Sequence, residues 1–151
     1  IGETKGHLGA SIYLREILGR EEGTPPPVDL KRERANGDFV RSFIQDGKIT
    51  ACHDISDGGL LVAIAEMTYR NGIGAKLTAS GDAGFWFGED QARYIITAKN
   101  GAEILEAAKA KNIPASIIGK TQADKITFDG NNIATSELKT ANEKWLPEYM
   151  G

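Results

Sequence analysis

Residues 48–67, KITACHDISDGGLLVAIAEM, switch conformational preference within a few positions, and that switch constrains the fold more than any other stretch. KITACHD (48–54) is rich in β-favouring residues and predicts a short buried strand. GGLLVAIAEMTYRNG predicts a helix buried through Leu60, Ile64 and Met67 and closed by Gly72. Between them lies a polar turn with His53, Asp54, Ser56, Asp57 and the pair Gly58-Gly59. A strand that feeds a helix through a polar turn must bury both apolar faces against further layers.

The rest of the chain continues the alternation. Ile12, Leu14, Ile17 and Leu18 predict a short helix ended by Gly19, and three consecutive prolines place residues 20–27 in a connector. Asp29 suits an N-cap for a helix from about Leu30 to Gln45, with Val40, Phe43 and Ile44 in its buried stripe. Further strands are predicted at 73–78, 92–98, 115–119 and 125–130, the last closing in a turn at Asp129-Gly130. Helices are predicted at 102–112 and from Ser136 to about Trp145, and SGDAGFWFGEDQ reads as a loop or short helical piece. The expected fold is α/β (α+β): a mixed β-sheet with helices packed on it, in a single domain over 1–151.

Composition narrows the function. A net charge of −3 argues against a general nucleic-acid binder, which needs a basic face for phosphates. A single cysteine, Cys52, excludes an intramolecular disulfide and any multi-cysteine zinc site, and its surroundings predict a buried structural thiol. No apolar run has the length of a membrane span and no secretory signal is visible, so no membrane partner is expected and the cytoplasm is the expected compartment. The chain starts without methionine in a glycine-rich segment, which reads as a piece of a longer polypeptide.

Three motifs carry candidate chemistry. In HDISDGGL, Asp54 and Asp57 suit a hard cation such as Mg²⁺, while Gly58 and Gly59 let a ligand approach backbone N–H groups at a helix start. The simpler reading is a helix cap by Ser56 or Asp57, with the glycines making the turn and His53 hydrogen-bonded to nearby backbone. In GETKGHLGAS, Gly2, Gly6 and Gly9 with Lys5, His7 and Ser11 precede a helix and can form either a phosphate-binding turn or a plain helix start; the spacing matches neither GxxxxGK[ST] nor GxGxxG. In GEDQARY, Glu89 and Gln91 share a face if the chain is extended, and with Asp90 can take a polar ligand or lie in a solvated loop.

Taken in order, GETKGHLGASIYLREI, PPPVDLKRE, HDISDGGLLVAIAEM and GEDQARY resemble the C-terminal part of phosphoribosylformylglycinamidine synthase, the formylglycinamide ribonucleotide amidotransferase family. HDxSDGGL also recurs in related C-terminal domains, including aminoimidazole ribonucleotide synthetase and selenophosphate synthetase. GHLGxSxYLRE with PPPVDL selects the amidotransferase. The resemblance is strong over about 1–98 and extends beyond that in layout only.

The resemblance implies the second of two aminoimidazole-ribonucleotide-synthetase-like C-terminal domains in an ATP-dependent C–N ligase of purine biosynthesis. It implies Mg²⁺ and ATP for the intact enzyme, and as partners the remaining domains of the chain, a separate glutaminase subunit and a small accessory subunit. By order, Asp54 takes the place of a Mg²⁺-binding aspartate, and Glu89, Asp90 and Gln91 that of a substrate-contacting Glu-Ser-Gln. The resemblance implies that Gly6, His7, Gly9, Ser11, His53, Asp57, Gly58 and Gly59 line the same pseudo-site. PPPVDL lacks the substrate-binding glutamine, and His53 stands where the other domain has a glutamine, so the resemblance implies an auxiliary domain with no catalytic residue of its own. A C-terminal domain of a related synthetase or kinase, and a stand-alone Mg–nucleotide module using Asp54, Asp57 and Glu89, are the alternatives.

Overall fold

The computed structural model describes all of residues 1–151, and the chain divides into two compact units. The first comprises residues 1–63 and 81–117, the second 64–80 and 118–151, so that one cut falls inside a helix.

In the first unit, α1 (Ile12–Leu18) is capped by the Ser11 hydroxyl, which accepts from Leu14 N, and ends at Gly19. α2 (Leu30–Gln45) starts at Asp29, whose carboxylate accepts from the N–H groups of Lys31 and Arg32. Those bonds satisfy donors that the first helical turn leaves without partners, and hold the Asp29 carboxyl below its usual range. β1 (Ile49–Asp54) runs antiparallel to β3 (Tyr94–Ala98), with His53 opposite Ile95 and Asp54 opposite Tyr94. α5 (Gly101–Ala110) follows β3. Phe39, Val40 and Phe43 of α2 meet Ile104 and Ala108 of α5 and Ile113, with Ile49 and Ile96 of the strands packed against them. Each large side chain removed from water here contributes roughly 2 kcal/mol. This cluster is one part of the unit's core; Leu14, Ile55, Leu60 and Trp86 are buried outside it.

Cys52 is exposed, contrary to the buried thiol expected from its neighbours in sequence. β1 pairs with one strand only, and Thr50 hydrogen-bonds Thr97 on its solvated side, so an apolar-looking strand keeps Ala51, Cys52 and Asp54 at the surface.

The cut chain segment belongs to α3 (Gly59–Tyr69), which continues into the second unit. There β2 (Ile73–Leu77), β4 (Gly119–Ala123), β5 (Lys125–Phe128) and β6 (Asn131–Ala134) form a sheet in the order β4-β2-β5-β6. β2 is antiparallel to β4 and parallel to β5, and β5 is antiparallel to β6. The sheet is mixed, as expected, but six strands form two sheets rather than one. Asp129 and Gly130 make the predicted tight turn, both at positive φ, which matches the twist of the hairpin they join.

Two expectations shift here. The strand predicted at 115–119 begins only at Gly119; the Ile118 carbonyl instead accepts from Thr78 N and Ala79 N. The final helix is two: α6 (Thr135–Glu143) and α7 (Trp145–Met150), the latter with Pro147 in its first turn, where a missing N–H costs nothing. No helix is long and apolar enough to cross a membrane.

Candidate functional site

All three motifs lie in the first unit, and one side chain joins them. α4 (Ala83–Phe87), capped by Asp82, delivers the chain to Gly88 and then to Glu89 and Asp90. Glu89 is only 9% exposed. One oxygen of its carboxylate accepts from Ile12 N at 2.9 Å and from Gly58 N at 2.8 Å. The first donor opens α1 and the second immediately precedes α3. A negative charge is favoured at such helix starts, where unpaired N–H groups and the helix dipole point outward.

Asp90, also buried, does the same for the glycine-rich segment. Its Oδ2 accepts from Lys5 N and Gly6 N, each at 2.9 Å. Main-chain bonds extend the brace: Glu89 N donates to His7 O, and Ile1 and Tyr94 exchange two bonds, each 2.9 Å. The Gln91 amide donates to the Glu89 carbonyl, and the residue itself is exposed.

Arg93 closes the arrangement from beneath. Its guanidinium donates to the carbonyls of Asp90 and Gly88 and to the Thr4 hydroxyl. Burial lowers the pKa of this guanidinium, and the Asp90 carboxylate opposes that shift. Asn36 of α2, fully buried, donates to the Ala92 carbonyl. Sequence reasoning missed both residues. Arg93 stood inside a motif already singled out, four positions after Glu89. Asn36 broke the apolar stripe of its helix, which is the usual mark of a buried polar contact.

The remaining glycine-rich residues are packed just as closely. His7 Nε2 lies 2.7 Å from the Thr24 carbonyl oxygen, and a Cβ at Gly9 would stand 2.5 Å from that same oxygen. Ser11 is buried as the α1 cap. Gly59 adopts φ +74°, and a Cβ there would lie 2.6 Å from the Phe87 carbonyl carbon, so only glycine fits without strain.

HDISD differs. His53 is half-buried, with Nδ1 2.5 Å from the Asp54 carbonyl oxygen and 3.6 Å from Asp54 Oδ1. The Asp54 side chain keeps 69% of its surface exposed, and Asp57 is exposed too. Nowhere do three His, Cys, Asp or Glu side chains gather to hold a metal ion. As a donor set for Mg²⁺, Asp54 supplies one hard oxygen ligand; a full octahedron needs phosphate oxygens and water as well. Two concavities of this unit, about 400 Å³ beside Leu105 and Pro114 and about 290 Å³ beside Asp29 and Lys111, include no residue of these three motifs; the second is lined in part by Asp29, Lys31 and Arg32 of PPPVDLKRE.

What the arrangement does chemically is hold backbone. Donors that an anionic ligand would need, at Ile12 and Gly58, already have a protein acceptor. Solvent-facing polar groups remain at Asp54 and Asp57.

Comparison with known proteins agrees with this fold. The phosphoribosylformylglycinamidine synthase subunit PurL of Bradyrhizobium diazoefficiens is 51% identical over 158 residues, covering 100% of this chain and 22% of that protein. The chain thus spans about a fifth of that relative's length. Among solved structures, Thermotoga maritima PurL complexed with FGAR superposes with a TM-score of 0.71 at 17% identity, over 91% of this chain and 26% of that one. The same protein complexed with ATP gives 0.58 at 15%, over 70% and 21%. The family described as AIR synthase related protein, C-terminal domain, matches residues 1–130, and this chain belongs to it.

Proposed function

We propose that residues 1–151 act as one C-terminal domain of a longer phosphoribosylformylglycinamidine synthase, and that the domain is auxiliary rather than catalytic. The whole enzyme would convert formylglycinamide ribonucleotide to formylglycinamidine ribonucleotide in purine biosynthesis. ATP would activate the substrate amide oxygen, and glutamine-derived ammonia would then displace the phosphate. Sequence identity to a synthase subunit across the whole chain supports the enzyme assignment. The auxiliary role rests on one observation: Glu89 and Asp90, which the resemblance pairs by motif order with substrate-contacting residues, are engaged with the backbone of Lys5, Gly6, Ile12 and Gly58.

In this reading the ATP contacts and catalytic histidines lie elsewhere in the longer polypeptide. A separate glutaminase subunit and a small accessory subunit supply ammonia, and the complex works in the cytoplasm. Asp54, and Asp57 beside it, are the groups here that can reach a Mg²⁺ ion carried by a nucleotide; Mg²⁺ supplies neutralisation of phosphate charge. Whether they do so during turnover is decided by Asp54→Ala in the full-length synthase. A change in kcat/KM within about threefold (about 0.7 kcal/mol) is expected. A loss of a hundredfold or more overturns the auxiliary role.

A further inference from the structure

The main chain of Ile1-Gly2 is seated between two neighbours in the first unit. Ile1 and Tyr94 exchange two hydrogen bonds of 2.9 Å, as directly opposed residues of an antiparallel ladder do. The Ile1 carbonyl and the Gly2 N–H belong to one trans peptide and so point in opposite directions. The carbonyl accepts from Tyr94, and the N–H donates to the Pro114 carbonyl at 2.8 Å. Ile1 therefore lies in a slot with β3 on one side and the chain at Pro114 on the other.

The slot continues along β3. Arg93 and Thr97 turn their carbonyls toward β1, where they accept from Ile55 N and the Thr50 hydroxyl. Tyr94 faces the other way, toward Ile1, and by the alternation of a strand so do the main-chain groups of Ile96 and Ala98. Both residues are half-buried, and no main-chain group meets them on that edge. On the far wall, Ala115, Ser116 and Ile117 belong to no ladder, and Ile117 is 55% exposed. Half-buried donors and acceptors in such a row call for partners. The Ile1 nitrogen adds to this: burial, and then the Arg93 guanidinium, lower its amine to about 6, so the position disfavours a charge and suits a peptide N–H.

We propose that, in the longer polypeptide, the residues immediately ahead of Ile1 run along β3 as a third, antiparallel strand, between β3 and residues 114–117. The inference rests on the proposed reading of this chain as a piece of a longer synthase. Covalent continuity identifies the occupant, since Ile1 already sits in register and an extended chain joined to its nitrogen follows the same edge. The second residue ahead of Ile1 lies opposite Ile96, and the fourth lies opposite Ala98. Ile1, Tyr94, Ile96 and Ala98 all pack against the α2–α5 core, so these two residues face that core and are apolar. The polypeptide thus enters the domain through a central strand rather than a flexible linker. That strand anchors the start of the glycine-rich segment, which Asp90 and Glu89 brace further along.

Hydrogen–deuterium exchange of the full-length synthase, resolved to single amides by fragmentation in the mass spectrometer, tests this. The Ile96 and Ala98 amides are expected to exchange at least a hundredfold more slowly than in the unfolded chain, at any protein concentration and without other subunits. Free exchange at both, with Ile95 and Thr97 still protected by β1, overturns the proposal. So does protection that needs high concentration or an added subunit. A cysteine pair checks the occupant in full-length Cys52→Ser protein. A cysteine at the second position ahead of Ile1 and Ile96→Cys stand about 5.5 Å apart between α-carbons, within reach of a disulfide. Oxidation is expected to link them within one chain, as read by peptide mapping; no link, or a link between chains, overturns the strand. Amidation activity of the unmodified preparation keeps the two readings apart. An active protein without the protection loses only the strand, and a protected chain inactive with every partner present keeps the strand and loses only the synthase assignment.

Discussion

Two acid-rich turns in the first unit look alike in sequence and behave differently in structure. GEDQAR places Glu89 and Asp90 inside, where four backbone N–H groups converge on two carboxylate oxygens. HDISD places Asp54 and Asp57 outside, facing water. The carboxylate chemistry is the same; what differs is which groups stand within 3 Å. A buried carboxylate surrounded by backbone donors is a structural anion, whereas an exposed one keeps its lone pairs for ions and solvent. The lesson for reading sites is that an acidic motif states a capacity, and the fold decides whether that capacity is turned inward or outward.

This contrast can be broken most forcefully at Glu89. Glu89→Ala leaves one buried and one partly buried helix-start donor without an acceptor and is expected to cost about 3 kcal/mol in urea unfolding, while Glu89→Gln, which keeps an oxygen, should cost about half of that. An alanine cost below about 1 kcal/mol would mean that the brace contributes little. Next in size is Gly59→Ala, expected to cost about 2–3 kcal/mol because the new Cβ meets the Phe87 backbone at positive φ. Stability equal to the parent protein would contradict that close approach. On the other turn, Asp54→Ala and Asp57→Ala should each change stability by less than about 0.5 kcal/mol, as exposed positions do. A larger loss at either would show that the outward turn also carries structure.

The smallest effect concerns Cys52, beside the outward turn. Partial burial and, secondarily, the Asp54 carboxylate raise the Cys52 thiol above its ordinary pKa. The folded chain therefore favours the neutral thiol. Its contribution to stability is complete below the ordinary thiol pKa and is lost as pH rises through the raised one. Iodoacetamide labelling should accordingly show a midpoint above that of a free cysteine, and Asp54→Asn should lower it slightly. A midpoint at or below the free value would remove the proposed desolvation.

Local signals were legible in the sequence. Asp29 as the α2 cap, Ser11 ahead of α1, and the Asp129-Gly130 turn all depend on neighbours within four residues, and each was placed correctly. Elements held by distant pairing were not. β4 (GKTQA) and β6 (NNIA) carry no strand-like apolar pattern and exist because β2 and β5 offer them hydrogen bonds. ASII looked like a strand because it is apolar, yet it stops short of the ladder. For the candidate site, Glu89 and Asp90 were singled out by residue type, but their partners lie 31 to 85 positions away, and no local pattern encodes such a contact. Arg93 and Asn36 stayed hidden for the same reason, since their roles are set by carbonyls brought near through the fold.

The separation between Glu89 and its partners also orders events during synthesis. Ile12 leaves the ribosome 77 residues ahead of the carboxylate that completes its helix start, and Gly58 leaves 31 ahead. A seven-residue helix cannot hold itself together alone, because nucleation is unfavourable and few bonds follow. The glycine-rich segment and α1 therefore wait in an open state until residues 88–93 emerge and close around them. A contact of such high sequence separation slows folding, and it leaves the apolar side of the early segments bare for the interval. The nascent chain is thus most dependent on chaperones after the HDISDGG turn has appeared and before GEDQAR has followed it.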